Sequence, residues 1–436
     1  MRYTPIQKEI YTQNRQNLAK KLKPNSLVVL NANDIMPTNA DGIMPFRQNN
    51  DIFYFTGIDQ EESILLLFPD CPQEKHREVL FLRETNEEIA IWEGHKFTKE
   101  EARERTGIST IYWLDSFKKI FHILMGKCDN VYLNSNEHTR AVVEVETRDS
   151  RFIRWCKDVY PLHNYQRVTP LMHDLRAIKS TAEVSQIQTA CDITEEGFRS
   201  VLKMVRPGVM EYEIEAEYAS QFIRRGSRGF AYTPIIASGF NSCVLHYIEN
   251  SEPCQEGDLL LMDVGAEYGN YNADMTRTIP VSGRFTPRQK AVYNAVLRTM
   301  KAAKELLKPG VLIDDYHKEV GEIMTKELVD LGLITMNEVN NQNEEWPAYK
   351  KYFMHGTSHH LGLDVHDVGN WDNKIEAGMV FTVEPGIYIR EEKFGIRLEN
   401  DIVITPNGHN DLMKNIPVEA EEIEELMNNK TTVEVA

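Results

Sequence analysis

Two aspartates in residues 257–278, GDLLLMDVGAEYGNYNADMTRT, are placed where they could bind a metal. A short apolar run predicts a buried strand that ends at Asp263, and a turn then leads to a second strand that carries Asp274 inward. Buried carboxylates are costly unless they are paired or bind a cation. No basic residue follows Asp263 until Arg277. The pair therefore favours a metal site, although either aspartate alone could simply cap a turn.

Three further clusters carry oxygen or nitrogen donors, each beside a strand or a glycine. Residues 355–366, HGTSHHLGLDVH, hold four of the thirteen histidines in the chain. The run FTVEPG brings a strand directly to Glu384, and GIRLEN places Glu399 at the start of another apolar strand. Taken singly, each has a structural interpretation: a histidine bonded to a carbonyl, a strand end facing water, or Glu399 paired with Arg397.

A two-metal site explains with one cause why several strands of one domain end in an acid. Four carboxylates and one imidazole can hold two divalent ions ~3.5–4 Å apart and trap a bridging hydroxide between them. Oxygen-rich ligation with a single nitrogen favours manganese, iron or cobalt over a structural zinc.

The surrounding motifs resemble a known family. HGTSHHLGLDVHDVG, TVEPGIYI and GIRLENDIVIT are similar to the pita-bread metallopeptidases, and within them to the aminopeptidase P (Xaa-Pro aminopeptidase) family. PFRQNNDIFYFTGID resembles the N-terminal domain of the same family, so the similarity covers nearly the whole chain.

The resemblance implies a role for each matching residue. It implies two divalent metal ions, manganese first with cobalt, iron or zinc as alternatives, held by Asp263, Asp274, His359, Glu384 and Glu399. Glu384 would also be the general base. His246 and His366 would contact substrate and move protons. The residues expected to shape the proline pocket are His355, Tyr232, Tyr388 and Arg397, and Trp92 is expected to reach a substrate pocket from the N-terminal domain. The chain departs from the family at His360, often aromatic, and at Asn400, often aspartate.

The elements that must position these residues divide into two domains. We expect an α/β N-terminal domain over residues 1–172 and an α+β pita-bread (creatinase/aminopeptidase-like) catalytic domain over residues 173–436. Apolar runs and capping signals in the first domain predict helices at 3–23 and 98–105 and strands at 27–30, 52–55, 63–68, 79–82 and 131–133. In the second, they predict helices at 180–205, 211–225, 287–307 and 314–331, and strands at 233–236, 259–263, 275–281, 379–383 and 401–405. Residues 419–429 are predicted to form a short acidic helix or tail.

Composition narrows the partners and the compartment. The net charge of −17 argues against nucleic acid and against an anionic membrane surface. Apolar runs fall short of a membrane span, and the first residues lack a secretory pattern. We therefore expect a cytoplasmic protein whose six scattered cysteines are reduced thiols.

The expected activity is hydrolysis of the N-terminal Xaa-Pro bond of peptides through a metal-bridged hydroxide. An Xaa-Pro bond has a tertiary amide nitrogen without N–H, so the leaving proline needs a proton donor such as histidine. Prolidase, which cuts Xaa-Pro dipeptides, is the alternative that the ligands cannot separate. A remote alternative is a metal-free pita-bread binding module. The resemblance also implies a homodimer or homotetramer.

Overall fold

The computed structural model describes residues 2–429, which form two compact units. The N-terminal unit is Pro5–Arg176. The C-terminal unit begins at Ala177 and also includes residues 2–4. Tyr3 packs edge-on against Tyr268 with ring centroids 6.2 Å apart, and this contact ties the first residues to the C-terminal unit. The predicted boundary at 172/173 places residues 2–4 in the N-terminal domain, whereas the structure groups them with the C-terminal unit.

The N-terminal unit is a six-stranded mixed sheet with helices. Its strands are β1 (Ser26–Asn31), β2 (Ile64–Leu67), β3 (Glu78–Leu82), β4 (Thr110–Trp113), β5 (Asn130–Leu133) and β6 (Asn164–Arg167). The spatial order is β4-β3-β2-β1-β5-β6, antiparallel at β1–β2 and β2–β3 and parallel elsewhere. Its helices are α1 (Lys8–Ala19), α2 (Asn50–Thr56), α3 (Glu87–Glu93), α4 (Lys99–Thr106), α5 (Phe117–Met125), α6 (Arg148–Val159) and α7 (Thr169–Ala177).

One prediction for this unit was wrong, and the bounds of another were too wide. Residues 52–55 were predicted as a strand, but they lie in helix α2, which Asn49 caps by accepting a hydrogen bond from Asp51 N at 3.0 Å. All residues from Ile52 to Thr56 are buried, so the helix has no polar face and its sequence lacks a helical period. The helix predicted at 3–23 is present but shorter, since it spans Lys8–Ala19.

Over residues 177–429, the C-terminal unit combines six α-helices with short antiparallel sheets. Its helices are α8 (Thr181–Met204), α9 (Glu211–Arg224), α10 (Pro287–Leu306), α11 (Ile313–Asp330), α12 (Met336–Asn340) and α13 (Ala420–Asn428). Its strands are β7 (Ile235–Ser238), β8 (Leu259–Val264), β9 (Glu267–Tyr268), β10 (Tyr271–Asn272), β11 (Met275–Pro280), β12 (Val380–Val383), β13 (Gly386–Ile389), β14 (Phe394–Arg397), β15 (Asn400–Thr405) and β16 (Gly408–Asp411). The predicted capping box at the start of α8 is present, with Ser180 and Glu183 bonded reciprocally.

Three of these sheets bring the candidate site together. β8 pairs with β7 and β11, β12 pairs with β15, and β13 pairs with β14. Among the helices formed by residues 2–429, none is long and apolar enough to cross a membrane. All six cysteines are buried and free.

Candidate metal centre

The two aspartates lie on the β8–β11 hairpin. Asp263 is in β8 opposite Thr276, and Asp274 immediately precedes β11. The hydroxyl oxygen of Tyr232 lies 2.5 Å from Asp263 Oδ1 and 2.6 Å from Asp274 Oδ1. The phenol oxygen of Tyr232 therefore lies between the two carboxylates and can donate its one hydrogen to either of them. Gly265 permits this close packing, because a Cβ there would lie 1.8 Å from the carbonyl oxygen of Ala273.

Asp274, His359 and Glu399 form a compact group of donors. One ligand atom from each lies within 4.8 Å of the others, and all three residues are buried. His359 Nδ1 lies 3.0 Å from the carbonyl oxygen of His360 and donates to it. This bond leaves Nε2 facing Asp274 Oδ2 at 3.4 Å and Glu384 Oε1 at 3.7 Å. Such a bond on the far nitrogen is what orients histidine as a metal ligand.

Asp263 and Glu384 adjoin this group from two sides. Asp263 shares Tyr232 with Asp274, and Glu384 faces His359. The structure thus gathers all five predicted ligands in one place, with Asp274, His359 and Glu399 buried and Asp263 and Glu384 half-buried. Backbone bonds fix the chain around them: Glu384 N donates to Thr357 O at 2.8 Å, and Glu399 N donates to Thr276 O at 3.1 Å.

The electrostatics of the group suit a divalent cation. Burial raises the pKa of Glu384 to about 7 and raises the pKa of Glu399 well above its ordinary value, with neighbouring carboxylates adding to the rise. Burial also raises the pKa of Asp263, against the opposing charge of Arg397. Burial alone would lower the pKa of His359, but the hydrogen bond with Asp274 and the charge of Glu384 raise it to about 9. Protons are retained where acids crowd without a cation, so this donor set fits divalent metal ions.

A second layer of polar residues supports the carboxylates. Buried Arg397 donates to Asp263 Oδ2 at 2.5 Å, to Tyr388 Oη at 2.8 Å and to Thr276 Oγ1 at 3.0 Å. Thr276 in turn donates to Glu399 Oε2 at 2.7 Å. Sequence reasoning missed Thr276, because only the alternation along β11 hinted that it faces the acids.

The predicted pocket histidine His355 is neutral. Its Nε2 lies 2.8 Å from Tyr388 Oη and its Nδ1 lies 3.7 Å from Glu384 Oε2. Burial, then the charges of Arg397 and His246, lower the pKa of His355 to about 3. His246 is itself exposed but close enough to act on His355.

The remaining predicted substrate residues lie in different surroundings. His366 is exposed, and its ring meets the ring of His359 edge-on with centroids 4.5 Å apart. Trp92 lies on α3 of the N-terminal unit and is 85% exposed. Its role in a substrate pocket stays a prediction.

Each departure from the family pattern has a structural reason. The ring of His360 is buried against Phe381, with centroids 4.4 Å apart, so it packs as an aromatic residue would. Asn400 accepts from Arg277 Nη2 at 2.8 Å and donates to both carboxylate oxygens of Asp411, at 2.9 and 2.8 Å. An amide satisfies both partners, whereas an aspartate would place a second carboxylate against Asp411.

Comparison with known proteins identifies the family. The sequence profile of metallopeptidase family M24 matches residues 185–406, and that of the aminopeptidase P N-terminal domain matches residues 11–132. The chain belongs to metallopeptidase family M24. Its aminopeptidase P relatives include the Xaa-Pro aminopeptidases of Escherichia coli, 35% identical over 97% of this chain and 98% of the relative, and of Haemophilus influenzae, 34% identical with the same coverage.

Solved structures of aminopeptidases agree with the fold. The Pseudomonas aeruginosa aminopeptidase PepP has a TM-score of 0.89 at 33% identity and covers 97% of this chain and 98% of its own. The Escherichia coli aminopeptidase P in complex with substrate has a TM-score of 0.86 at 34% identity, covering 97% and 99%. The predicted fold class, an α/β domain with a pita-bread catalytic domain, is confirmed. So is the predicted class of enzyme, an exopeptidase hydrolase, and M24 membership implies divalent metal ions.

Proposed function

We propose that this chain removes the N-terminal residue from peptides with proline in second position, using two divalent metal ions, manganese in the first place. The convergence of Asp274, His359 and Glu399 with Asp263 and Glu384 carries the proposal. These five residues would hold the ions. When bound, the ions supply Lewis acidity toward the scissile carbonyl and an activated water.

The protein's own residues then handle protons and orientation. Glu384 accepts the proton of the attacking water, since its two carboxylate oxygens lie 3.7 Å from His355 Nδ1 and from His359 Nε2, beyond hydrogen-bond distance. His366, beside His359, and the exposed His246 are the groups proposed to hold the substrate and to return a proton to the leaving proline nitrogen. Neutral His355, held by Tyr388, contributes an uncharged wall for the proline ring.

The surroundings of Arg397 argue against prolidase. A strict dipeptidase must recognise the free carboxylate of proline, and Arg397 is the basic residue that the sequence places near the ligands. Its side chain is buried and already donates to Asp263, Tyr388 and Thr276. Its donors are therefore used within the site and are not free to bind the carboxylate of a dipeptide. The five retained ligands likewise argue against a metal-free binding module.

A peptide series separates the two enzymes. Manganese-loaded protein is offered Xaa-Pro, Xaa-Pro-Yaa and a longer Xaa-Pro peptide in parallel, with the release of free Xaa measured. We expect the tripeptide and the longer peptide to be cleaved at least as fast as the dipeptide. A strict preference for the dipeptide would move the assignment to prolidase.

The proposed homodimer or homotetramer and the cytoplasmic location rest on the family resemblance and on the sequence composition. Light scattering of the purified chain tests the assembly, and a monomer under all conditions would reject it.

A further inference from the structure

A buried ion pair joins Lys179 to Asp367, the residue that follows His366. Lys179 Nζ is 2.9 Å from Asp367 Oδ2, and the two side chains are 2% and 1% exposed. The structure packs tightly around the pair: a Cβ on Gly362 would lie 2.3 Å from Asp367 Oδ2 and 2.8 Å from Lys179 Cε. Gly362 therefore belongs at this position because the ion pair fills the space that a side chain would need.

Lys179 is fixed from its own side. Its backbone N donates to Gly378 O at 2.9 Å, and the next residue, Ser180, is the N-cap of α8. The lysine thus extends from the rigid start of a long helix. The ammonium group that pairs with Asp367 is therefore positioned by the start of α8, which is remote from Asp367 in sequence.

The loop from His360 to Asp367 is anchored at both ends, and His366 is its exposed residue. Asp367 N donates to His360 O at 2.9 Å and closes the loop, and Asn272 Nδ2 donates to Gly362 O and Leu363 O at 3.0 and 2.9 Å. His366 itself is exposed, with its ring against that of His359. Because His366 directly precedes Asp367, an ion pair that fixes Asp367 also limits where the imidazole can lie.

Stability alone gives little reason for such a pair. Two charges that are removed from water lose their hydration, and their mutual attraction offsets that loss only when the geometry is good. Apolar residues of similar volume often give the same stability or more. A buried pair does fix one arrangement of the segments it joins. We propose that Lys179 and Asp367 are positioning residues that hold His366 in register over the metal centre, an inference that rests on the proposed function of His366.

A double-mutant cycle tests the proposal. Lys179→Met, His366→Ala and the combined variant are compared for kcat and KM on an Xaa-Pro-Yaa peptide, with metal content and melting temperature measured alongside. We expect Lys179→Met to lower kcat about tenfold at native metal content, since small misplacements of a reacting group are costly. In the His366→Ala background the same substitution should change kcat less than twofold, because its effect passes through His366.

Equal losses in both backgrounds would overturn the positioning role while leaving Xaa-Pro hydrolysis by the native chain intact. A native chain that fails to cut Xaa-Pro peptides would instead reject the proposed function, so the two failures are distinguishable. A His366→Ala variant with native kcat would overturn the inference as well.

Two further variants keep the test interpretable. Lys179→Met leaves Asp367 buried without its cation, so Lys179→Met/Asp367→Asn removes both charges with little change of shape. We expect this pair to fold, bind metal and retain the loss in kcat; native kcat in the folded double variant would overturn the proposal. Lys290→Met, which breaks the more exposed contacts with Glu421 at 3.0 Å and Glu424 at 3.1 Å, is the matched control and should leave kcat unchanged.

Discussion

At the scale of single residues, the chemistry of the centre depends on which atoms are already committed. Arg397 donates hydrogen bonds to Asp263, Tyr388 and Thr276. His359 Nδ1 donates to the carbonyl oxygen of His360. Glu384 is different, since its oxygens face His359 and His355 at 3.7 Å, beyond hydrogen-bond distance. It is the carboxylate best placed to exchange a proton.

Glu384→Gln tests that assignment. The amide keeps the shape and one ligand oxygen but cannot accept the proton, so we expect kcat to fall by about 10²- to 10⁴-fold with KM changed far less. Steady-state kinetics with metal analysis of the same samples measure this. The exposed Glu376→Gln is the control. Native kcat with only KM raised would mean that another group is the base.

At the scale of elements, the β8–β11 hairpin sets the distance between Asp263 and Asp274. Gly265 directly follows β8 and Ala273 lies two residues before β11, and these segments approach so closely that a Cβ added at Gly265 would lie 1.8 Å from Ala273 O. The carboxylates are therefore placed by backbone packing as well as by Tyr232.

Gly265→Ala should disturb the centre without altering any ligand. The methyl group must push the strands apart, which we expect to destabilise the protein by about 1–3 kcal/mol and to weaken metal binding. Denaturant unfolding and metal titration measure the two effects. Gly126→Ala, where the nearest atom is 3.6 Å away, should be nearly neutral. Unchanged metal affinity in Gly265→Ala would contradict the role given to the hairpin.

Elements with a regular period were predictable from the sequence, and α2 was not. α8 and α10 begin at capping signals and keep a buried stripe, so the predicted bounds differ by one residue or so from the observed ones. The predicted strand at 52–55 was wrong because a helix buried on all sides has the same apolar run as a buried strand.

The same distinction applies to the centre. Its five donors were predicted because each stands at a strand end or beside a glycine, in motifs that resemble a family. The contacts of Thr276 and of the Lys179–Asp367 pair were not, because they join distant segments whose proximity only the fold creates.

At the scale of the whole molecule, the retained protons couple stability to pH in the metal-free protein. Glu384 has its pKa raised from 4.5 to about 7, so between these values the folded state binds a proton that the unfolded state has lost. Stability contributed by this proton is present below pH 4.5 and is lost as pH rises toward 7. Metal-free Glu384→Gln lacks the effect. We expect its melting temperature, relative to that of the metal-free native chain, to rise between pH 4.5 and 7, as scanning calorimetry would measure. A difference that falls or stays flat would contradict the raised pKa.

The most direct test of the whole account is the rate of Xaa release from an Xaa-Pro-Yaa tripeptide, measured together with the manganese bound per chain. Chelated protein should be inactive, and the rate should rise as manganese fills the centre, with Xaa and Pro-Yaa as the products. The matched Xaa-Ala-Yaa peptide should be nearly inert. A native rate in metal-free protein, or equal cleavage of the alanine peptide, would contradict a metal-dependent Xaa-Pro aminopeptidase.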